Sequence, residues 1–261
     1  HAWRTTALTA SIMQVERRRF LQQAALGAAG CALASASGLA ASTPTHVVAS
    51  TRSGRIGGVR EQGVQVFRGI RYGADTAPRR FQPALQEATW RGVRDALGYA
   101  ASAPQNGDEG PGSEDCLFLN VWTPGLRDGA RRPVLFYIHG GGYNNGSGSS
   151  PLYDGGNLCR RGDVVVVTVN HRLNAFGYLF LAELAGPELA YSGNVGQLDL
   201  VQALQWVQQH AHEFGGDAGN VTMFGQSGGG AKIATLMAMP AAKGLFHRAM
   251  TMSGQQVTAA G

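Results

Sequence analysis

Short unbroken apolar runs pattern the second half of the chain: residues 133–139 (PVLFYIH), 164–169 (VVVVTV), 221–224 (VTMF) and, more weakly, 247–252 (HRAMTM). Apolar runs without alternation fit strands buried on both faces, as in a parallel sheet. Between them the period changes. Leu200, Ala203, Leu204, Val207, Ala211 and Phe214 recur at steps of three and four, which predicts a helix with one buried face. Gly215 and Gly216 follow, and glycine can take the left-handed conformation that ends a helix. Residues 228–239 predict a second helix, stopped by Pro240. Earlier in the chain, residues 46–50, 64–67 and 117–122 predict short strands separated by turn residues. Alternating strands and helices predict an α/β fold with a parallel sheet. Residues 143–150 form a polar, glycine-rich loop between strand and helix.

Composition narrows the class. Of 261 residues, 44% are hydrophobic and 15% charged, which excludes a disordered chain. The net charge of +5 is weighted toward the start, where Arg4, Arg17, Arg18 and Arg19 outnumber Glu16. No basic cluster remains for a nucleic-acid face. Three cysteines cannot build a disulfide framework. No metal-ligand constellation and no dinucleotide fingerprint occurs, so no cofactor is expected. Beyond residue 41 no apolar run reaches the ~18–20 residues of a membrane span.

The first 41 residues have the layout of an export leader. From Met13, the expected start, Glu16-Arg17-Arg18-Arg19-Phe20-Leu21 precedes a modestly apolar Ala/Gly/Leu stretch, with small residues at Ala34-Ser35-Ala36 and Ala40-Ala41. Arg-Arg-x-Phe-Leu resembles the twin-arginine export signal of bacteria. Residues 1–41 are therefore expected to be removed, leaving residues 42–261 in a periplasmic or secreted product. An amphipathic helix and lipid attachment at Cys31 are the alternative readings of this segment.

Two motifs carry chemistry. Gly225-Gln226-Ser227-Gly228-Gly229 lies between a predicted strand and a predicted helix, the context of a nucleophile elbow. Such a turn strains the serine backbone and leaves no room for side chains two residues away on either side. His139-Gly140-Gly141-Gly142 closes the 133–139 run. Acyl transfer develops negative charge on a carbonyl oxygen, and backbone N–H groups can stabilise it where glycines allow close approach. Gly141, Gly142 and Gly228 are the expected donors, and His139 is expected to support the loop through a hydrogen bond. A phosphate loop would need Gly-Lys-Ser/Thr, whereas Ala231-Lys232-Ile233 follows the glycines here.

A third run, Glu114-Asp115-Cys116-Leu117-Phe118-Leu119-Asn120-Val121-Trp122, resembles a signature of the type-B carboxylesterases, the family that includes the cholinesterases. Phe67-Arg68-Gly69-Ile70-Arg71-Tyr72, Val169-Asn170-His171-Arg172-Leu173 and Asn194-Val195-Gly196-Gln197-Leu198-Asp199 extend the resemblance in order. It implies an α/β-hydrolase fold, Ser227 as the acylated nucleophile, and a small-molecule ester as substrate. It also implies two buried ion pairs, Arg80 with Glu114 and Arg172 with Asp199. The alternative within the family is a non-catalytic binding protein, but such members generally lose the nucleophile.

This chain departs from the family in several places. Gln226 and Gly228 flank the serine where the family usually has Glu and Ala, which makes a cationic substrate less expected. Ala103 stands where the family often has the disulfide partner of Cys116, so Cys116 is expected to be free and buried. His171 replaces a usual Tyr and is expected to be structural. After Ser227 the only His is His247, and no Asp or Glu follows. In this fold the acid and then the His follow the serine. Both are therefore expected beyond residue 261, making this chain an N-terminal fragment that is inactive or nearly so alone. His210 and His212 are expected on a solvated surface.

Overall fold

A computed structural model describes residues 45–107 and 112–254. The expected leader, with its arginine cluster and Cys31, lies outside the described residues. Among them, nine strands form one mixed sheet: β1 (Thr45–Ser50), β2 (Arg55–Glu61), β3 (Val64–Arg71), β4 (Val93–Asp95), β5 (Phe118–Thr123), β6 (Arg132–Ile138), β7 (Val165–Val169), β8 (Gly216–Gln226) and β9 (Arg248–Met252). Their order is β1-β2-β3-β5-β7-β6-β8-β9, with β4 beside β2. The sheet is antiparallel from β1 through β3 and β5 to β7. From β7 onward, β6, β8 and β9 run parallel.

The apolar runs at 133–139, 164–169, 221–224 and 247–252 became β6, β7, β8 and β9. All five residues of β7 are buried. Its side chains divide by parity, as the pleat requires. Val165, Val167 and Val169 join the main core, while Val166 packs on the other face with Val64, Val66, Trp122 and Cys159. Helix α1 (Gly156–Gly162) brings Cys159 to that second face. On the main-core face lie α4 (Val195–His210) and α5 (Gly228–Ala238). Short helices α2 (Asn174–Tyr178) and α3 (Ala182–Ala185) follow β7.

The predicted face of α4 is buried from Leu200 to Phe214. The last turn, Ala211–Phe214, tightens to a 3-10 helix, and Gly215 ends it at φ +68. β8 begins earlier than its apolar run predicts. Its polar first half pairs only through Gly216 with Arg132, and the register slips before Val221 meets Val134. β2 went unpredicted because Gly57 and Gly58 interrupt its alternation. Gly58 is required there: a Cβ would stand 2.5 Å from the Val66 carbonyl oxygen and 2.6 Å from the Phe67 ring.

Two expectations about charged or polar side chains are overturned. His210 is buried at 4% exposure rather than solvated. Its Nε2 accepts the Arg52 N–H at 3.0 Å and its Nδ1 reaches the Trp206 carbonyl at 2.8 Å. Arg80 was expected to be buried, but its side chain is 56% exposed, although it pairs with Glu114. His212 is exposed.

Candidate active site

The register of the parallel strands builds the site. Ile138 pairs with Gly225, so the chain leaving β6 and the chain leaving β8 emerge side by side at the carboxyl edge of the sheet. Open α/β sheets bind ligands at such edges. The first chain is His139-Gly140-Gly141-Gly142, and the second is Ser227 with the start of α5.

Ser227 sits at φ 55, ψ −122, a sparsely populated region for a residue with a side chain. Two backbone bonds hold it there. Its N–H donates to the Met252 carbonyl at 2.7 Å, and its carbonyl accepts the Ala231 N–H at 3.1 Å. The flanking glycines are sterically required. A Cβ on Gly225 would stand 2.7 Å from the Ile138 carbonyl oxygen, and one on Gly229 would stand 2.0 Å from the same atom. Gly228 abuts the glycine loop as closely, since a Cβ there would lie 2.2 Å from the Gly142 oxygen and 2.6 Å from its nitrogen. The structure thus brings together Ser227, Gly228 and Gly142, while Gly141 and Gly142 face solvent.

The loop's shape is fixed by side chains that the sequence reading did not single out. Gly141 and Gly142 turn through φ +88 and +61. The Gly141 carbonyl accepts N–H groups from Asn144 and Asn145, both at 3.2 Å. The Gln105 amide clasps Gly146 on both sides, accepting its N–H at 2.7 Å and donating to its carbonyl at 3.0 Å. Asn170 accepts the Gly148 N–H at 2.7 Å. Asn and Gln at loop ends were the available signal, because a glycine-rich loop exposes backbone polar groups that need partners. An open cleft of about 660 Å³ lies beside the loop, lined by Pro104, Gln105, Asn106, Asn144, Asn145, Asn174 and Phe176.

His139 lies under the loop and is 1% exposed. Burial and the nearby Lys232 charge push its pKa down to about 3, so the ring is neutral near pH 7. Its Nδ1 lies 2.8 Å from the Gly140 carbonyl, which can only accept, so the proton sits on Nδ1. The ring stacks on His171 at 4.8 Å between centroids. Burial, and then the charge-disfavouring presence of His139 and Lys232, holds His171 well below its ordinary value. Neither ring is poised to take a proton. His247 lies at the opposite end of β9 from Met252, the residue bonded to Ser227, about 17 Å away for a five-residue strand. Its Nδ1 accepts the Val221 N–H at 3.2 Å.

Two ion pairs flank the site. Arg172 and Asp199 are 2% and 0% exposed. Arg172 Nε and Nη2 donate to Asp199 at 2.8 and 2.6 Å, and the Arg172 backbone N–H adds a third bond at 3.1 Å. This ties the segment after β7 to the first turns of α4. Arg80 donates to Glu114 at 2.6 and 2.5 Å from a largely solvated position. Cys116 and Cys159 are free and buried in separate core clusters. Among the described residues, no three His, Cys, Asp or Glu side chains group to hold a metal ion. No helix there is long and apolar enough to cross a membrane.

A profile of the carboxylesterase family matches residues 45–260. The chain belongs to the carboxylesterase family. It is 44% identical over 223 residues to the para-nitrobenzyl esterase of Bacillus subtilis (strain 168), a match covering 82% of this chain and 45% of that protein. It is 43% identical to the phenmedipham hydrolase of Pseudarthrobacter oxydans, covering 80% of this chain and 43% of the relative. The crystal structure of the Geobacillus stearothermophilus carboxylesterase superposes with a TM-score of 0.76 at 47% identity, over 78% of this chain and 42% of that one. The fold is therefore that of the α/β-hydrolases, present in part. This carboxylesterase-family chain spans less than half the length of these relatives.

Proposed function

We propose that the protein containing this chain is a serine carboxylesterase. The observation that carries the reading is the strained Ser227, set by the Ile138–Gly225 register against a glycine loop that packs directly on the next residue. Ser227 Oγ attacks the ester carbonyl. Negative charge gathers on the carbonyl oxygen and is met by the N–H groups of Gly141, Gly142 and Gly228. The alcohol leaves, an acyl-Ser227 ester remains, and water hydrolyses it to the carboxylic acid. The base that takes the serine proton and the acid that orients it come from the length of the relatives that this chain does not span. Residues 45–254 thus supply the nucleophile and the oxyanion donors, and the chain alone hydrolyses esters poorly or not at all. The leader, with its paired arginines, directs export.

The test uses the full-length protein. A fluorophosphonate probe should label Ser227, and S227A should abolish both labelling and hydrolysis of p-nitrophenyl acetate. Absence of labelling in a folded, full-length protein would overturn the esterase reading and favour a binding protein. Export is checked by N-terminal sequencing of the secreted or periplasmic product, which should begin near residue 42.

A further inference from the structure

Lys232 is the charged side chain that this chemistry leaves unused. It lies on α5, one turn beyond Gly228, and is 0% exposed. A lysine buried without a counter-ion is costly, so its surroundings must compensate. They do so with backbone oxygens. Nζ donates to the Gly142 carbonyl at 2.5 Å and approaches the Gly228 carbonyl at 3.4 Å. The Tyr143 ring completes the enclosure, with Nζ 4.7 Å from its centroid. One ammonium group therefore touches both chain segments whose N–H groups are the oxyanion donors.

We propose that Lys232 is a positioning residue for the oxyanion site: its ammonium group straps the Gly142 carbonyl to the elbow and fixes the glycine loop against Ser227. The proposal rests on the esterase reading and extends it. The closeness of the two backbones makes the strap necessary. Gly142 and Gly228 meet with no side chain between them, so backbone contact keeps them from closing further and the Lys232 bond to the Gly142 carbonyl keeps them from parting. The loop's other ties fall to either side of this point: Asn144 and Asn145 hold the Gly141 carbonyl, the Asn174 N–H holds the Tyr143 carbonyl at 2.7 Å, and Gln105 and Asn170 hold Gly146 and Gly148. The charge also lies beside the place where the oxyanion forms, and it favours that charge through space.

The ammonium form is the competent one, and burial lowers the Lys232 pKa from its ordinary 10.5 to about 7. The groups facing it are His139 and Tyr143 from the glycine loop and His171 from the segment after β7. On α4, Gln197 donates to the Lys232 carbonyl at 3.3 Å. His139 and His171 stay neutral near pH 7, and no carboxylate pairs with Lys232 among the described residues. The strap therefore loosens as pH rises through about 7. Stability moves the other way, because the unfolded chain holds this proton more tightly and folding is favoured as pH rises from 7 toward 10.5.

The experiment compares full-length wild type, K232M and K232R with p-nitrophenyl acetate between pH 5.5 and 9. Wild-type kcat should fall on the alkaline side of a maximum near 7. At pH 6.5, K232M should lose about tenfold or more in kcat with little change in KM, since a single oxyanion donor is worth about 10²–10³. The alkaline fall should vanish in K232M, and K232R should recover part of the rate. K232M should also melt no lower than wild type at pH 6.5, because it removes a buried charge. A purely structural lysine would lose stability and rate together. Unchanged kcat and an unchanged profile in folded K232M would overturn the proposal. If K232M does not fold, wild type still decides: a rate that climbs to a plateau through pH 9 overturns it. Wild type that neither hydrolyses ester nor reacts with the fluorophosphonate would instead defeat the esterase reading itself.

Discussion

Replacing Asp199 by Ala removes three acceptor contacts at once. Two serve the Arg172 guanidinium and one serves the Arg172 backbone N–H. The guanidinium would keep one bond, Nη1 to the Gln82 carbonyl at 2.8 Å, in a position only 2% exposed. Breaking a buried pair costs about 3–5 kcal/mol, and an orphaned backbone N–H adds about 1 kcal/mol. Domains of this kind are stable by about 5–15 kcal/mol, so the loss is about a quarter or more of the total. The surroundings cannot relax to shed it, because the Arg172 carbonyl is itself wedged against Gly177 and Gly196, where added Cβ atoms would stand 2.5 and 2.6 Å away. Denaturant unfolding of the full-length protein, followed by circular dichroism, should show D199A destabilised by about 4 kcal/mol or failing to accumulate. D199N should lie between it and wild type. The double variant R172M/D199L should recover most of the loss, since a buried pair can be replaced by apolar residues with little penalty. A D199A protein within about 1 kcal/mol of wild type would refute the reasoning. So would a double variant worse than D199A.

The same reasoning predicts a contrast: R80A should destabilise far less than D199A in the same unfolding measurement, because that arginine is mostly solvated, and an equal loss would contradict it. G229A should yield no soluble folded protein, since its Cβ must occupy space 2.0 Å from a carbonyl oxygen in the middle of the sheet edge, and a normal yield would contradict the elbow geometry. Cys116 and Cys159 should resist a thiol reagent in the native state and react in guanidine, because burial pushes both thiols up and excludes the reagent. Burial lowers His210 to about 4, so the unfolded chain binds its proton first and stability falls as pH drops from about 6.5 toward 4. H210Q should lose less stability than wild type between pH 7 and 5, and an identical loss would show that another group controls the acid limb.

The parts of the fold that apolar patterning made legible are β7, buried throughout, the apolar runs of β6 from Val134 and β8 from Val221, buried on one face and at least half-buried on the other, and the wide apolar stripe of α4. β2 was hidden because its alternation passes through two glycines required by packing, and β4 because all three of its residues are exposed. The site was half legible. Ser227 and its glycines carry a motif, because the turn tolerates so few residues. Gln105 and Lys232 carry none, and Asn170 lay within a family run that gave it no role, since each acts through a contact between segments distant in sequence. The spacing of Lys232 four residues after Gly228 puts both on one face of α5, but only the structure shows that the glycine loop covers that face. His210 was misjudged because the Arg52 N–H that its Nε2 accepts comes from a loop 158 residues earlier, outside its local pattern.

The register that sets Ile138 against Gly225 also dictates when the serine can become strained. The β1–β2–β3 meander pairs neighbours in sequence and can form from short loops, one of them turned by Gln62 and Gly63 at φ 48 and 83. β6 must wait for β7 to close on one side and then for β8, which follows the whole of α4, to close on the other. Such long closures are slow. Ser227 is further anchored by Met252, so its backbone is forced into place only after β9 has docked. The strained serine backbone is thus a late acquisition of the folding chain, and probe labelling, which also needs the base from outside this chain, can begin no earlier than completion of the parallel half of the sheet.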